Sequence, residues 1–256
     1  MSTDPGVLTG RAYASLGPLA ARAAIYRYQR DRVDLPGLVV ERLSGRRGPV
    51  LDIGAGLGTY SRRLRDQCPD LAVVALDLSP GMRPDVVADI QRLPVADETA
   101  SAVLAMHMLY HVPDLTGAVR ELRRVLVRGG VALISTNGPE DKREIGDLES
   151  AAVHDLTGQQ WQCTRPAARF TLDDQALLAE AFARVEQVDF ARETVVPDPE
   201  PLVDFVDSLR AFTEPVLPGG VDWPSFMGAA ERRIRAEIAQ SGAFRFRSRV
   251  GLFACS

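Results

Sequence analysis

Short apolar segments alternate with amphipathic segments along the first half of the chain. Runs of apolar, often β-branched residues bounded by turn residues predict buried strands over 50–53, 71–76, 86–88, 100–108 and 130–136. Between them, apolar residues recur at helical spacing, most regularly in the helix that Asp114 is predicted to cap. Strands that alternate with helices of this length form parallel sheets with right-handed crossovers. The pattern therefore predicts an α/β fold.

The segment before the first strand is predicted to be a helical arm. Residues 1–10 are polar and contain glycine and proline, so we expect them to be frayed. Residues 11–31 have the pattern of one or two helices broken near Gly17. The arm carries three tyrosines, Tyr13, Tyr26 and Tyr28. Their rings either pack in the core or form a lid over a ligand, with the hydroxyl groups still hydrated.

After residue 137 the regular alternation gives way to mostly helical patterns. The predicted elements are a helix that begins at Thr171 with Asp174 in a capping box, a strand over 185–190, helices over 199–212 and 224–238, and a closing strand over 243–255. The closing strand is predicted to lie at the sheet edge and to run antiparallel. The helical segments are predicted to cap the sheet.

Composition and charge limit the partners. Of the 256 residues, 46% are apolar and 25% are charged, as in ordinary globular proteins, and the formal net charge is −4. Nucleic-acid binding normally shows a basic face, so we expect no nucleic-acid partner. The chain has neither a signal pattern nor an apolar run of membrane-spanning length, which predicts a cytoplasmic protein without membrane association.

Cysteine and lysine usage adds two observations. The cysteines, Cys68, Cys163 and Cys255, share no metal-ligand spacing and are expected to be reduced thiols. Lys142 is the only lysine, since every other basic residue is arginine. We interpret this bias as a consequence of coding composition and not as a binding feature.

One glycine-rich segment, PVLDIGAGLGTYSRR over 49–63, points to chemistry. An apolar strand leads into GAGLG over 54–58, and helical spacing then resumes. A strand, a glycine turn and a helix N-terminus form a concave set of backbone donors that nucleotide-like ligands approach closely. Dinucleotide sites use G-x-G-x-x-G, whereas Thr59 occupies the third glycine position here. This departure favours S-adenosylmethionine, the other common ligand of such loops.

Five segments, in order, resemble motifs of the class I S-adenosylmethionine-dependent methyltransferases, and in particular their small-molecule, methyltransferase type 11-like members. The segments are VLDIGAGLG over 50–58, ALDLSPGM over 75–82, ADI with LPV over 88–95, LYHVPD over 109–114, and the helix and Gly-Gly turn over 118–130. The resemblance covers 37–136 well and 250–253 weakly. One departure is Ser101, where many relatives have an aspartate at the start of strand four.

The resemblance implies a Rossmann-like, doubly wound, mostly parallel sheet of seven strands, with an antiparallel last strand and helical cap insertions. We expect one methyltransferase domain over 1–256. Its expected parts are an N-terminal lid arm (11–35), a cofactor-binding core (36–137), cap insertions around the acceptor site (138–170 and 192–242) and the closing strand (243–256).

The resemblance also implies a cofactor site at the carboxyl ends of the strands. Asp77 is expected to accept both ribose hydroxyls, and Asp89 the adenine amino group. The expected cofactor-binding residues are Tyr28, Asp52, Gly54, Ala55, Gly56, Asp77, Leu78, Met82, Asp89, Ile90 and Met106. No metal is expected, because the chain has no clustered acidic site of the catechol type.

Two histidines are candidate catalytic residues. His107 follows the fourth strand, where the methyl group should point, and acts either as a general base or as a passive part of the pocket wall. His111 acts either as a base or as a hydrogen-bonded organiser of its loop, and His154 is expected at the surface. The cap aromatics, among them Phe205 and Phe212, either pack together or line an apolar acceptor pocket.

We therefore expect transfer of a methyl group from S-adenosylmethionine to a small-molecule acceptor, such as a secondary metabolite, with S-adenosylhomocysteine as the product. Oxygen is favoured over nitrogen and carbon as the acceptor atom. The alternatives are a tRNA or other macromolecular methyltransferase, and a non-methylating enzyme or binder that retains S-adenosylmethionine. The sequence does not identify the acceptor, and it leaves both a monomer and a homodimer open.

Overall fold

A computed structural model describes residues 2–162 and 169–256, so Cys163 lies outside the described residues. Its strands are β1 (Gly48–Ile53), β2 (Leu71–Asp77), β3 (Val86–Val87), β4 (Ala100–Met106), β5 (Leu126–Asn137), β6 (Val185–Val196) and β7 (Phe244–Cys255). They form one sheet in the order β3-β2-β1-β4-β5-β7-β6. All neighbouring pairs are parallel except those of β7, which is antiparallel to both β5 and β6. The expected seven-stranded sheet is confirmed, but β7 lies inside it and β6 forms the edge.

Helices connect the strands and build the cap. They are α1 (Pro5–Val7), α2 (Leu16–Ala24), α3 (Leu35–Leu43), α4 (Thr59–Gln67), α5 (Leu115–Val125), α6 (Arg143–Thr157), α7 (Gln175–Ala179), α8 (Pro199–Asp207), α9 (Arg210–Thr213) and α10 (Trp223–Ser241). Within the described ranges, no helix combines the length and the apolarity that a bilayer crossing requires.

Both faces of the sheet are covered, as a doubly wound fold requires. Neighbouring residues of β1 serve opposite faces, because successive side chains of a strand alternate. Val50 packs with Val39 of α3 and Leu64 of α4. Leu51 belongs to the other cluster, which contains Leu122 of α5. Apolar residues buried on both faces explain the continuous hydrophobic runs of the central strands.

The cap has a hydrophobic core of its own, beyond the end of the central sheet. β5 pairs with β7 only over 250–255, so the first half of β7 pairs with β6 alone. There Phe244 and Phe246 pack among apolar residues of α6, α8 and α10. The predicted strand over 185–190 was too short, since β6 continues to Val196. β6 and the first half of β7 thus support the cap beyond the carboxyl ends of the parallel strands.

Two predicted helix boundaries differ in detail from the structure. The break predicted near Gly17 falls just before Leu16, and Gly17 itself lies in the first turn of α2. Proline is compatible with a first turn, so the Gly-Pro pair reads as a start and not as an interruption. Asp174, not Thr171, is the N-cap residue of α7, and its side chain makes no cap bond to that helix. The contact predicted between the two residues is present, because the Asp174 carboxylate accepts from the Thr171 amide (2.7 Å) and hydroxyl (2.9 Å) one turn before the helix.

The expected fraying of residues 1–10 is also wrong for the described part of that segment. Leu8 is only 6% exposed and packs in the cap cluster. The carboxylate of Asp4 caps α1 by accepting from the amides of Gly6 and Val7. The arm therefore begins near residue 2 and lies across the core.

Candidate active site

A cavity of about 1020 Å³ lies at the carboxyl ends of β1, β2, β4 and β5. The core forms its floor, the N-terminal arm covers one side, and α6, α8 and α9 close another. Ligand pockets commonly measure roughly 300–1,000 Å³. This cavity therefore has room for a nucleoside-sized cofactor and a second small molecule side by side.

The glycine loop after β1 forms one wall with its backbone. Gly54 and Gly56 have φ of 68° and 53°, a region that other residues rarely adopt. A Cβ at Gly54 would lie 2.8 Å from the Met108 side chain. Asp52 lies beneath the loop, 1% exposed, and accepts hydrogen bonds from the amide and hydroxyl of Ser61 on α4. Burial raises the pKa of Asp52 to about 6. Asp52 thus fixes where α4 starts.

Two carboxylates follow the loop around the cavity wall. Asp77, at the end of β2, accepts from the amides of Gly56 and Ser79, each at 2.9 Å. Burial raises the pKa of Asp77. Asp89 accepts from the Gln91 amide at 2.9 Å. An ionised carboxylate has about four acceptor positions, so both groups can still accept from a ligand hydroxyl or amino group.

His107 occupies an unusual backbone position at the end of β4. Its φ is 55°, and its amide donates to the carbonyl (3.0 Å) and hydroxyl (3.1 Å) of Ser135. Its imidazole lines the cavity and has no hydrogen-bond partner among the described residues. Burial, and then the Lys142 cation, lower the pKa of His107 to about 4. A left-handed backbone at a non-glycine residue costs about 1–3 kcal/mol, and such strain clusters at functional sites.

His111 ties the arm to the core. The Tyr13 hydroxyl lies 2.7 Å from its Nε2, and the Ser2 carbonyl lies 2.9 Å from its Nδ1. A carbonyl can only accept, so Nδ1 donates and Nε2 accepts from Tyr13. Burial lowers the pKa of His111 to about 4, which keeps this ring neutral near pH 7. With both ring nitrogens engaged, His111 organises its loop and has no nitrogen free for a reacting group.

The single lysine lies in the cavity wall. Lys142 has φ of 59°, and its ammonium group pairs with Asp141 and lies 5.4 Å from the Tyr26 ring centroid. Burial alone would lower the pKa of Lys142, but Asp141 and Tyr26 outweigh it and raise the pKa above its ordinary value. The side chain is 13% exposed. Lys142 therefore stays charged beside His107.

Most of the predicted site residues meet in this cavity. Ten of them line it: Gly54, Ala55, Gly56, Asp77, Leu78, Asp89, Ile90, Met106, His107 and His111. Asp52 and Met82 are buried but lie outside its wall. Tyr28 also lies outside, because its 3-10 turn directs Tyr26 inward and leaves the Tyr28 hydroxyl to Arg27 at 3.1 Å. His154 is exposed, as predicted.

Sequence reasoning missed several wall residues. They are Arg22, Tyr60, Ser79, Gln91 and Lys142. Lys142 carried a signal, because it is the one lysine in a chain that otherwise uses arginine, and it was set aside as coding bias. Tyr13 and Tyr26 were weighed as lid residues, and both line the cavity. Phe205 and Phe212 also line it, whereas Phe226 is fully buried in the cap.

The wall has the groups that S-adenosylmethionine requires. The glycine turn exposes backbone close to the cavity, and two anchored carboxylates stand at separate strand ends with acceptor positions left over. Ile90 and Met106 add apolar surface beside them. Among the described residues, no group of three or more His, Cys, Asp or Glu side chains could hold a metal ion.

Comparison with known proteins agrees with this geometry. Residues 51–134 match the family model of a methyltransferase domain. Malonyl-[acyl-carrier protein] O-methyltransferases are similar: that of Geobacter sulfurreducens is 28% identical over 218 residues, 79% of this chain and 78% of the relative. That of Nitrosospira multiformis is 27% identical over 164 residues, 53% of each chain, so the match spans about half the length of that relative.

A solved structure shows the same fold over nearly the whole chain. It is phosphoethanolamine N-methyltransferase 2 of Haemonchus contortus in complex with S-adenosyl-L-methionine. The TM-score is 0.58 at 16% identity, over 99% of this chain and 60% of the other. Four features indicate the same kind of domain: the strand order, the glycine loop, the carboxylates after β2 and β3, and the residues that match the family model. Over this core, the chain is similar to the class I S-adenosylmethionine-dependent methyltransferases.

Proposed function

We propose that this protein transfers a methyl group from S-adenosylmethionine to an oxygen atom of a small acceptor, giving S-adenosylhomocysteine. The observation that carries the proposal is His107, which lines the cavity and whose ring has no hydrogen-bond partner among the described residues. Support for the oxygen atom comes from the curated relatives, both of which are O-methyltransferases by name.

The cofactor side of the cavity is assigned to the glycine loop and the two carboxylates. Asp77 would accept from the ribose hydroxyls, and Asp89 from the adenine amino group. Both carboxylates are already fixed by backbone amides, so little conformational entropy is lost when they bind a ligand. S-adenosylmethionine supplies a methyl group that the positive charge on its sulfur already activates. The protein therefore has to supply mainly position.

His107 provides the base that a hydroxyl acceptor requires. With a pKa of about 4, the ring is neutral near pH 7 and has a free lone pair, but burial also makes it a weaker base than a free imidazole. Its backbone amide donates to the carbonyl and to the hydroxyl of Ser135, which fixes the point on the backbone from which the ring extends. General base catalysis contributes roughly 10²–10⁴ in rate. A carboxylate acceptor would need no base, and His107 would then orient it by hydrogen bonding.

The arm and cap position the acceptor and exclude water. Tyr13 and Leu19 of the arm approach the loops after β4 and β1, where Leu19 lies 3.0 Å from the position of a Cβ on Gly56. Phe205 and Phe212 contribute apolar surface from the cap. Holding two reactants in line is worth roughly 7–11 kcal/mol of the barrier. Alignment of the two reactants would therefore account for the larger part of the rate enhancement at this site.

A second candidate is O-methylation of an acid carried on an acyl-carrier protein. The names of both curated relatives favour it. In this case the cavity would receive only the terminal acid, and the carrier would stay outside.

The direct test is methyl transfer from labelled S-adenosylmethionine into a metabolite extract. We expect a labelled product together with an equal amount of S-adenosylhomocysteine, and loss of both with Asp77→Ala. Labelling of a carrier protein loaded with malonyl groups, and of no small metabolite, would support the second candidate. The absence of any labelled product from either source would contradict the proposed function.

A further inference from the structure

A guanidinium group without a counter-ion lies in the cavity wall. Arg22, on α2, donates through Nη1 to the Ser208 carbonyl at 2.7 Å. Its Nη2 is buried and has no hydrogen-bond partner in the described part of the chain. No carboxylate among those residues forms an ion pair with it. An unpaired buried donor costs about 1–3 kcal/mol, and more if it is charged. The group is therefore suited to bind an anion.

Aromatic rings hold this guanidinium in place. Its Cζ lies 5.2 Å from the centroid of the Tyr13 ring and 5.8 Å from that of Phe212. Guanidinium groups stack well on aromatic faces, and their rigid fork loses little entropy when it binds. The bond to Ser208 fixes the Nη1 edge, and Nη2 is covered by neighbouring protein atoms, so a small local movement is needed before a ligand can reach it.

The charged groups near Arg22 favour a ligand with a single negative charge. His111 is neutral near pH 7, because burial lowers its pKa to about 4. Lys142 is already paired with Asp141. Asp77 accepts from the amides of Gly56 and Ser79 and forms no ion pair with Arg22. Among the described residues, Arg22 thus lines the cavity without an ion pair, as Arg32 and Arg192 also do.

The chemistry of one free donor edge in an apolar wall favours a carboxylate. Phe205, Leu209 and Phe212 line the same side of the cavity, so water is poorly placed to solvate a second negative charge. A phosphate dianion would require more donors than one guanidinium edge supplies. A single carboxylate matches both the charge and the donor count.

We propose that Arg22 is the specificity-determining residue of the acceptor site and that it binds a carboxylate of the acceptor. The inference rests on the proposed function, since it assumes that an acceptor enters this cavity. It adds the substrate class: acceptors with a free carboxylate bind, and their neutral amides do not.

Fractionation of the substrate pool tests the substrate class. A metabolite extract is separated by anion exchange at pH 7, and each fraction is assayed with methyl-labelled S-adenosylmethionine. We expect transfer only from retained fractions, unchanged after phosphatase treatment. Transfer from unretained fractions, or loss after phosphatase treatment, would overturn the carboxylate assignment alone. Transfer from no fraction and to no malonyl-loaded carrier protein would overturn the proposed function and this inference with it.

Substitution of Arg22 tests the residue. We expect Arg22→Met to raise the KM for the acceptor roughly 10- to 100-fold, because that factor corresponds to the free energy of a hydrogen bond to a charged group. The affinity for S-adenosylhomocysteine should stay unchanged. Arg22→Lys keeps the charge and should recover part of the loss, which also guards against a misfolded Met variant. Arg27→Met is the matched control, because Arg27 is exposed and stacks on Tyr28 outside the cavity. A comparable loss of S-adenosylhomocysteine affinity in Arg22→Met would assign Arg22 to the cofactor's own carboxylate and overturn the proposal.

Discussion

The hydroxyl of Tyr13 donates to Nε2 of His111 at 2.7 Å, although the two residues are 98 positions apart. The same tyrosine is held by its carbonyl, which accepts from the Ser79 hydroxyl at 2.8 Å. The N-terminal arm is therefore fastened to the loops after both β2 and β4. We interpret it as a lid over the cavity.

Removal of the Tyr13 hydroxyl should loosen this lid. Tyr13→Phe leaves the buried Nε2 of His111 unsatisfied, which costs about 1–3 kcal/mol of arm docking. We expect faster proteolysis within the arm, with the melting of the core unchanged. Tyr28→Phe is the control, since within the described ranges its hydroxyl bonds only to Arg27, outside the cavity. Equal cleavage rates in the two variants would contradict the lid.

Gly81→Ala should displace the arm from the opposite side. A Cβ there would lie 2.7 Å from the Tyr13 carbonyl oxygen and still closer to that of Ala14, both of them backbone atoms. Overpacking of this kind costs typically about 1–3 kcal/mol. Hydrogen exchange should show loss of protection in the arm, whereas Gly10→Ala, which meets nothing within 4 Å, should show none. Full arm protection in Gly81→Ala would refute this contact.

Asp77→Ala should weaken S-adenosylhomocysteine binding. Hydrogen bonds to a charged group contribute about 1.5–3 kcal/mol, so Kd should rise roughly 10- to 100-fold. Titration calorimetry gives the value directly. Asp66→Asn removes an exposed carboxylate from α4 and should leave Kd unchanged. If Asp77→Ala binds as tightly as the original chain, the ribose assignment is wrong.

His107→Gln should separate catalysis from cofactor binding. If the imidazole acts as a base, turnover should fall roughly 10²- to 10⁴-fold, while S-adenosylhomocysteine affinity stays within about twofold. His154→Gln is the matched control, because His154 is exposed and bonds to the Gln159 carbonyl. An unaffected turnover number would show that His107 lines the cavity without acting as a base, or that the acceptor is a carboxylate that needs no base.

The buried histidines should make stability depend on pH. His107 and His111 have pKa values of about 4 in the fold, against 6.5 when unfolded. The unfolded chain binds more protons between these values, so their contribution is complete above pH 6.5 and is lost as pH falls towards 4. Asp52 acts in the opposite sense, because its pKa is raised from 3.8 to about 6 and its contribution is lost as pH rises.

Asp77 acts in the same sense as Asp52, because burial raises its pKa as well. Against these two carboxylates, each histidine adds about 1 kcal/mol per pH unit to the slope of the unfolding free energy near pH 5. Urea unfolding at several pH values measures this slope. His111→Gln removes one of the two histidines and should lower the slope by about that amount. A slope that His111→Gln leaves unchanged would show that His111 is not held neutral.

The core of the site was predictable because it is local in sequence. Gly54, Gly56, Asp77 and Asp89 each follow a predicted strand, and parallel strands bring their carboxyl ends to one edge. The positions of these residues therefore follow from the strand pattern itself, with no knowledge of long-range packing.

The acceptor side was less predictable because it depends on packing between distant segments. Tyr28 was selected over Tyr26, and only the turn over Ile25–Tyr28 decides which ring faces the cavity. Arg22 meets Ser208 across 186 residues, and periodicity cannot show such a contact. The role of His111 likewise depends on Ser2, a residue that composition predicted to be frayed.

Because Lys142 is buried in the cavity wall, the reactivity of its amine reports how often that wall opens. Lys142 carries the only side-chain amine in the sequence, and the closed cavity wall shields that amine beside Tyr26. An amine-acylating reagent should thus place a single side-chain mark, at a rate set by how often the wall opens. A lysine-specific protease likewise has one bond to cut. Mass spectrometry of either product, with and without a ligand, therefore measures the fraction of protein that has the ligand bound, even when the acceptor is not identified.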